Sequence, residues 1–184
     1  MISERAKSGF SQILKDAIKA SIVASDDDVC EIEVVKDVNG IEEDELVVLT
    51  ISSYLFRVMT FFYVKPNKAT RAHFARKTNS PTGDMEKGDF YDAFCEYGNI
   101  CCGAVNRDLG NYFPHVGMST PNKLDKQCVR YLDTLGYGYI QHFKITINQS
   151  VTFYSSLCVC GYADIDFALQ AKEDDVSTGE LEMF

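Results

Sequence analysis

The order of apolar patterns along the chain predicts an α+β fold, with a mostly antiparallel sheet covered by helices. Three observations carry this. Strand-like runs come as hairpin-like neighbours rather than in strict βαβ alternation. The helical patterns fall in blocks, one before three strands and three more before the last two strands. The length, 184 residues, suits one domain that buries roughly 70% of its unfolded surface. The expected domain is 1–171, followed by an acidic, flexible tail over 172–184.

Residues 3–25 carry Ala6, Phe10, Ile13, Leu14 and Ala17 at helical spacing, with Ser3 as the cap. Three strands follow. Residues 29–36 and 45–52 flank a turn holding Asn39-Gly40. Residues 55–64 are rich in Phe, Tyr and Val, and Pro66 ends the run. Asn67 caps a short basic helix over 68–77, and Asn79-Ser80-Pro81-Thr82-Gly83 reads as a loop. A long helix is predicted over 85–109. An irregular stretch, 110–120, comes next, and 123–135 reads as another helix closed by Gly136. Residues 139–148 and 151–169 are strands joined by a tight turn near Asn148-Gln149, the second bending at Gly161.

Charge and cysteine usage exclude several classes of function. The net charge of −9 repels a phosphate backbone and an anionic leaflet, so neither nucleic acid nor a membrane is an expected partner. No apolar run reaches the ~18 residues of a membrane span. Met1 to Phe10 is polar and mixed in charge, with no signal-peptide core. Seven cysteines, an odd number set among apolar residues, read as reduced thiols of a cytoplasmic protein. They are Cys30, Cys95, Cys101, Cys102, Cys128, Cys158 and Cys160. His73, His115 and His142 lack metal-ligand spacing, no cysteine pair is CxxC, and no glycine loop is built to cradle phosphate. Neither a metal nor a cofactor of its own is expected. Lys65, Lys68, Arg71, His73, Arg76 and Lys77 form a basic patch, either a solvated helix face or a docking surface for an acidic partner.

The helix over 85–109 carries the chemistry. At about 100° per residue, Phe90, Phe94, Gly98, Cys101 and Val105 gather on one side. Asp92, Glu96, Asn99, Gly103 and Asn106 gather on the other. Any solvent-facing helix side carries Asp, Glu and Asn. The helix as a whole also carries Gly98, Asn99 and Gly103, at a summed propensity cost of about 2 kcal/mol relative to alanine. Poor helix formers at these positions point to a close approach on that helix, or to a need for the amide itself.

The run from Asp92 to Gly103 resembles the signature helix of the CheC/CheX/FliY chemotaxis phosphatases, whose pattern is Asp or Ser, three residues, Glu, two residues, Asn, with a Gly four residues on. Asp92, Glu96, Asn99 and Gly103 match all four positions. The pattern occurs once in this chain, so the resemblance is closer to CheX, with one such helix, than to CheC, with two. It implies a CheC/CheX-like fold and hydrolysis of the aspartyl phosphate of a CheY-like response regulator, the phosphorylated receiver domain being the partner. Mg²⁺ would come with the regulator. Asn99 and Glu96 would be the catalytic residues, Asn99 orienting the attacking water and Glu96 pairing with a lysine beside the phosphoaspartate. Asp92 and Gly103 would serve substrate docking. A non-catalytic adaptor of the same fold that docks a receiver domain is the alternative. The resemblance also implies a homodimer. Residues 55–64 and 151–169 give a second reason, since long uncharged strands at a sheet edge need a partner.

Overall fold

Ser3 opens the fold by accepting the Ala6 N–H at 3.1 Å, which caps helix α1 (Glu4–Ile22). The predicted stripe of Ala6, Phe10, Ile13, Leu14 and Ala17 is buried, and Ile18 and Ile22 extend it. The structure, a computed structural model, describes residues 1–38, 41, 45–80 and 85–170. Its strands are β1 (Cys30–Val35), β2 (Glu45–Ser52), β3 (Phe56–Tyr63), β4 (Gly117–Met118), β5 (Asn122–Asp125), β6 (Tyr139–Ile147) and β7 (Val151–Gly161). Helices α2 (Lys68–Lys77) and α3 (Lys87–Gly110) lie between β3 and β4.

All the strand pairs are antiparallel, in the order β1-β6-β7-β3-β2, and β2 is flanked beyond by β4 and β5. Helices α1, α2 and α3 cover one face, over Val47, Leu49, Ile51, Val58, Phe62, Phe143, Ile145, Phe153 and Leu157. The other face carries Leu46, Val48, Met59, Phe61, Tyr63, Cys158 and Cys160 under Val38, Ile41 and Leu132. The three central strands are therefore buried on both faces. That is why they read as continuous apolar runs instead of alternating ones.

The α+β class, the antiparallel sheet and its helical cover agree with the sequence. Both hairpins β2–β3 and β6–β7 form, and the second turns at Asn148 and Gln149 with φ of 49° and 56°. Three residues separate the paired Ile147 and Val151. The Ser150 N–H closes a turn on the Ile147 carbonyl at 3.1 Å, and positive φ at its two central residues is what a type I′ turn needs. The strand β7 stops at Gly161, short of the predicted 169.

Three expectations are corrected. First, 29–36 and 45–52 are not neighbours. The first pairs with β6 and the second with β3, with three strands between them. Asn39-Gly40, the predicted turn, lies outside the described residues, as do Pro81, Thr82 and Gly83 of the predicted loop and the tail 172–184. Second, 123–135 is not one helix. Its first residues join β5, where Leu124 registers with Leu46, and only Lys126–Leu135 coils, as a 3₁₀ helix. Gly136 closes it with φ 61°. Third, β3 and β7 are central strands paired on both sides, so they give no edge for a homodimer. Their lack of charge reflects burial. Among the described residues the sheet's outer strands are β1, where Glu31 and Glu33 are exposed, and β4 and β5 at the opposite side.

Half of the basic patch is consumed inside the fold. His73 donates from Nε2 to the Ile22 carbonyl at 2.9 Å, and Lys77 donates to the Val23 carbonyl at 2.9 Å. Both satisfy C-terminal carbonyls of α1, and the Lys77 cation complements the helix dipole. Arg76 pairs with Asp28 at 3.2 Å and also donates to His73 Nδ1 at 3.2 Å. Asp28 accepts from Asn148 and from the Ala24 N–H as well. The patch is thus a staple between α1, α2 and the β6–β7 turn.

The staple fixes the state of His73. One ring nitrogen must donate and the other must accept, so the ring is neutral. Burial, first of all, holds its pKa below the usual histidine value, although Asp28 pulls the other way. His142 is likewise held low by burial, against the pull of Asp37, and its Nδ1 shares a hydrogen bond of 2.7 Å with the Ser156 hydroxyl. With lowered folded pKa values, the unfolded chain binds protons first as pH falls. The stabilisation is complete above about pH 6.5 and is lost below it. Urea unfolding should therefore show a lower midpoint near pH 5.5 than near pH 7.5, both values bracketing the free-histidine pKa of about 6.5. The double variant His73→Gln/His142→Gln should flatten that dependence.

Candidate functional site

The outward side of α3 is placed by its inward side. Phe90, Phe94, Tyr97, Gly98, Cys101 and Val105 are buried. Phe62, Phe74, Phe94, Tyr97 and Phe153 meet mostly edge to face, with ring centroids 5.4–6.2 Å apart. At Gly98 the helix rests on the sheet. A Cβ there would sit 3.0 Å from Leu49 Cδ1 and 3.7 Å from Val47 Cγ1, so any side chain at this position would press on Leu49.

With that side fixed, the predicted residues come together. Asp92 and Glu96 are exposed, and Asn99, Gly103 and Asn106 are half-buried, along one line of the helix. Among the described residues, neither carboxylate has an ion pair and the Asn99 amide has no hydrogen bond. The line thus offers a free carboxylate and a free amide one turn apart. Gly103 differs from Gly98. A Cβ on it would meet only the Met118 sulfur, at 3.9 Å. Packing among the described residues gives no reason for a glycine at 103.

The edge strands β4 and β5 run beside α3 and form a rim. Met118 stands next to Gly103 and is 37% exposed. Lys123 lies over the Tyr91 ring at 4.6 Å and pairs with Glu45 at 3.1 Å. The hydrogen bond from Lys123 is the largest cause that holds the Glu45 carboxyl below the usual carboxylate range. A cleft lined by Glu45, Lys87, Tyr91, Asp92, Cys95 and Lys123 opens at this end of the helix. On the other side of the line Ile100 is 51% exposed.

The site contains no activated nucleophile. Burial, and then the charge of Asp92, push the Cys95 thiol up. Burial pushes Cys101 and Cys102 up to about 12. A thiolate is therefore disfavoured at each, and these cysteines act as small apolar groups. Among the described residues no cluster of His, Cys, Asp and Glu is arranged to hold a metal ion, and no helix is long and apolar enough to cross a membrane. What the line can do is dock a cationic group with a carboxylate and orient a water with an amide.

Sequence reasoning found the polar line and missed its flanks. Ile100 was legible, as an apolar residue adjoining the polar face. Met118 falls in a stretch read as irregular, and only the pairing of β4 with β2 brings it to the helix.

No family model matches the sequence, and no curated protein matches it either. Solved structures do match. A CheC-like superfamily protein from Shewanella sp. PV-4 is 13% identical with a TM-score of 0.59, the match covering 83% of this chain and 97% of that one. The chemotaxis protein CheX from Vibrio vulnificus is 12% identical with a TM-score of 0.57, covering 82% of this chain and 99% of that one. CheX in the CheX–CheY–BeF3–Mg²⁺ complex from Borrelia burgdorferi is 9% identical with a TM-score of 0.59, covering 82% of this chain and 97% of that one. The likeness, at 9–13% identity, is one of fold.

The two glycines of α3 should respond oppositely to substitution. Gly98→Val drives a side chain into Leu49 and Val47 and should destabilise by about 1–3 kcal/mol. Gly103→Ala has room and should stabilise by up to about 1 kcal/mol. Denaturant unfolding of both variants checks this, and equal effects would contradict the seating of α3 at Gly98.

Proposed function

We propose, from the premise that this chain has the CheC/CheX fold, that it is a phosphatase which hydrolyses the aspartyl phosphate of a CheY-like response regulator. The observation that carries the reading is the Glu96–Asn99 pair, outward on α3 and free of internal partners among the described residues. The likeness to a CheX that was solved together with CheY, BeF3 and Mg²⁺ supports it.

In this reading the regulator brings the phosphoryl group and its own Mg²⁺, which shields the charge of the phosphoryl oxygens. This chain brings orientation. The Asn99 carbonyl accepts a hydrogen bond from a water, and its NH₂ donates to a phosphoryl oxygen. The water oxygen then attacks phosphorus in line as the bond to the aspartyl oxygen breaks, which yields carboxylate and inorganic phosphate. Glu96, one turn earlier, pairs with a lysine beside the phosphoaspartate and sets the register of docking. Asp92 extends that acidic edge, and Gly103 lets the partner come close. An adaptor without catalysis would use the same line of residues, and Asn99 separates the two readings.

Loss of label from a panel of phosphorylated receiver domains, with and without this protein, tests the function. Asn99→Ala should lower the rate by about 10²–10³-fold with the fold intact. A protein that binds a phosphorylated receiver without speeding loss of label would be the adaptor. Glu96→Gln should weaken binding roughly tenfold and lessen its dependence on salt. The homodimer rests on resemblance alone, and light scattering that gives a mass near 20.7 kDa would exclude it.

A further inference from the structure

Beside the polar line of α3 lies a gap with apolar borders. Gly103 is its floor: among the described residues beyond its own stretch of helix, a Cβ at that position would meet the Met118 sulfur at 3.9 Å. Met118 borders the gap from the neighbouring edge strand, and Ile100 stands one turn before it on the helix. Their exposures of 37% and 51% are high for residues so close to a packed helix. Single exposed apolar residues are ordinary on protein surfaces. Two on either side of an unfilled glycine, next to a carboxylate and an amide that have no partner among the described residues, form a composed surface.

We infer that this gap receives an apolar side chain of the docked receiver domain, held between Ile100 and Met118, and that this contact fixes how the receiver is presented to Asn99. The inference rests on the proposed function and names what that reading leaves open, the apolar part of the recognition. Charge complementarity selects the occupant. Asp92 and Glu96 make the adjoining edge acidic, so the matching surface carries a cation next to an apolar group. A charge pair at an exposed helix gains little by itself, because water screens it. A buried apolar contact beside it excludes that water and supplies the central anchor that a small interface needs. Methionine suits the task, since its unbranched, polarisable chain adapts to the shape of what enters.

The test is binding of the full chain to a panel of receiver domains treated with beryllofluoride and Mg²⁺, measured at several salt concentrations. Ile100→Ser and Met118→Ser should each weaken binding about tenfold while leaving the salt dependence unchanged. Gly103→Leu fills the gap and should abolish detectable binding, with the thermal melt at or above that of the unaltered protein. Glu96→Gln serves as the contrast, because it should reduce the salt dependence. If Gly103→Leu binds as the unaltered protein does while Glu96→Gln is impaired, the apolar contact is wrong and the docking face stands. If the unaltered protein binds no receiver domain, both fall together.

Discussion

The seating of α3 on the sheet at Gly98, where an added Cβ would crowd Leu49, is the constraint on which the rest depends. A helix turns by about 100° per residue, so fixing one residue against the sheet fixes the direction of every other. With Gly98 down, Phe94, Cys101 and Val105 are down, and Glu96, Asn99 and Gly103 are up. A rotation by one residue would bury a carboxylate or an amide without a partner. That costs more than the apolar contacts could return. The aromatic cluster of Phe62, Phe74, Phe94, Tyr97 and Phe153 holds the same phase from below. The polar line is thus an outcome of the core, and its side chains sit on an element that the core keeps rigid.

The remaining cations and anions are sorted by the same layer. His73, Arg76 and Lys77 face the end of α1 and are spent on its carbonyls and on Asp28. Lys123 is spent on Glu45 beside Tyr91. In contrast, Asp92 and Glu96 have no ion pair among the described residues. Two carboxylates without ion pairs among the described residues thus stand one turn apart on the outward line of α3. The field there favours a partner with a basic patch and steers its approach.

Local pattern made the elements legible, and pairing hid the topology. The stripes of α1 and α3, the β6–β7 hairpin and its tight turn at Asn148-Gln149 were readable, because each depends on residues close in sequence. The partners of β1 and β2 depend on which edges meet across the sheet, and Asn39-Gly40 suggested a hairpin where β6 takes β1 instead. The uncharged runs of β3 and β7 were ambiguous in kind. An aggregation-prone edge and a strand buried on both faces look alike in sequence, and only the strand order tells them apart. In 123–135 the periodicity misled in a specific way. Val129, Leu132 and Leu135 recur every third residue, which is the period of a 3₁₀ helix. The residues before them were free to join β5. Asp92, Glu96, Asn99 and Gly103 were legible as one face. That Gly98 serves packing and Gly103 does not is a property of the sheet beneath one and the open space above the other.

The chemistry proposed for this surface explains why it is a surface. The reaction needs an electrophile and its metal, and both come with the partner, so nothing in this chain has to be buried in advance to build them. What the chain must supply is an amide aimed at a water, and an amide left open to solvent on one side of a helix needs no buried partner in the free protein. In the free state that amide is surrounded by competing water and orients nothing. Only a docked partner removes the surplus water, and then each polar contact strengthens in the drier gap. Binding and catalysis are then one event on one helix. The helix has to combine a charged residue that sets register, an amide that acts and an apolar contact that keeps water out. Glu96, Asn99 and the Ile100–Met118 pair supply those three properties within about two helical turns. A deep pocket would add nothing to a reaction whose substrate is the exposed face of another folded domain.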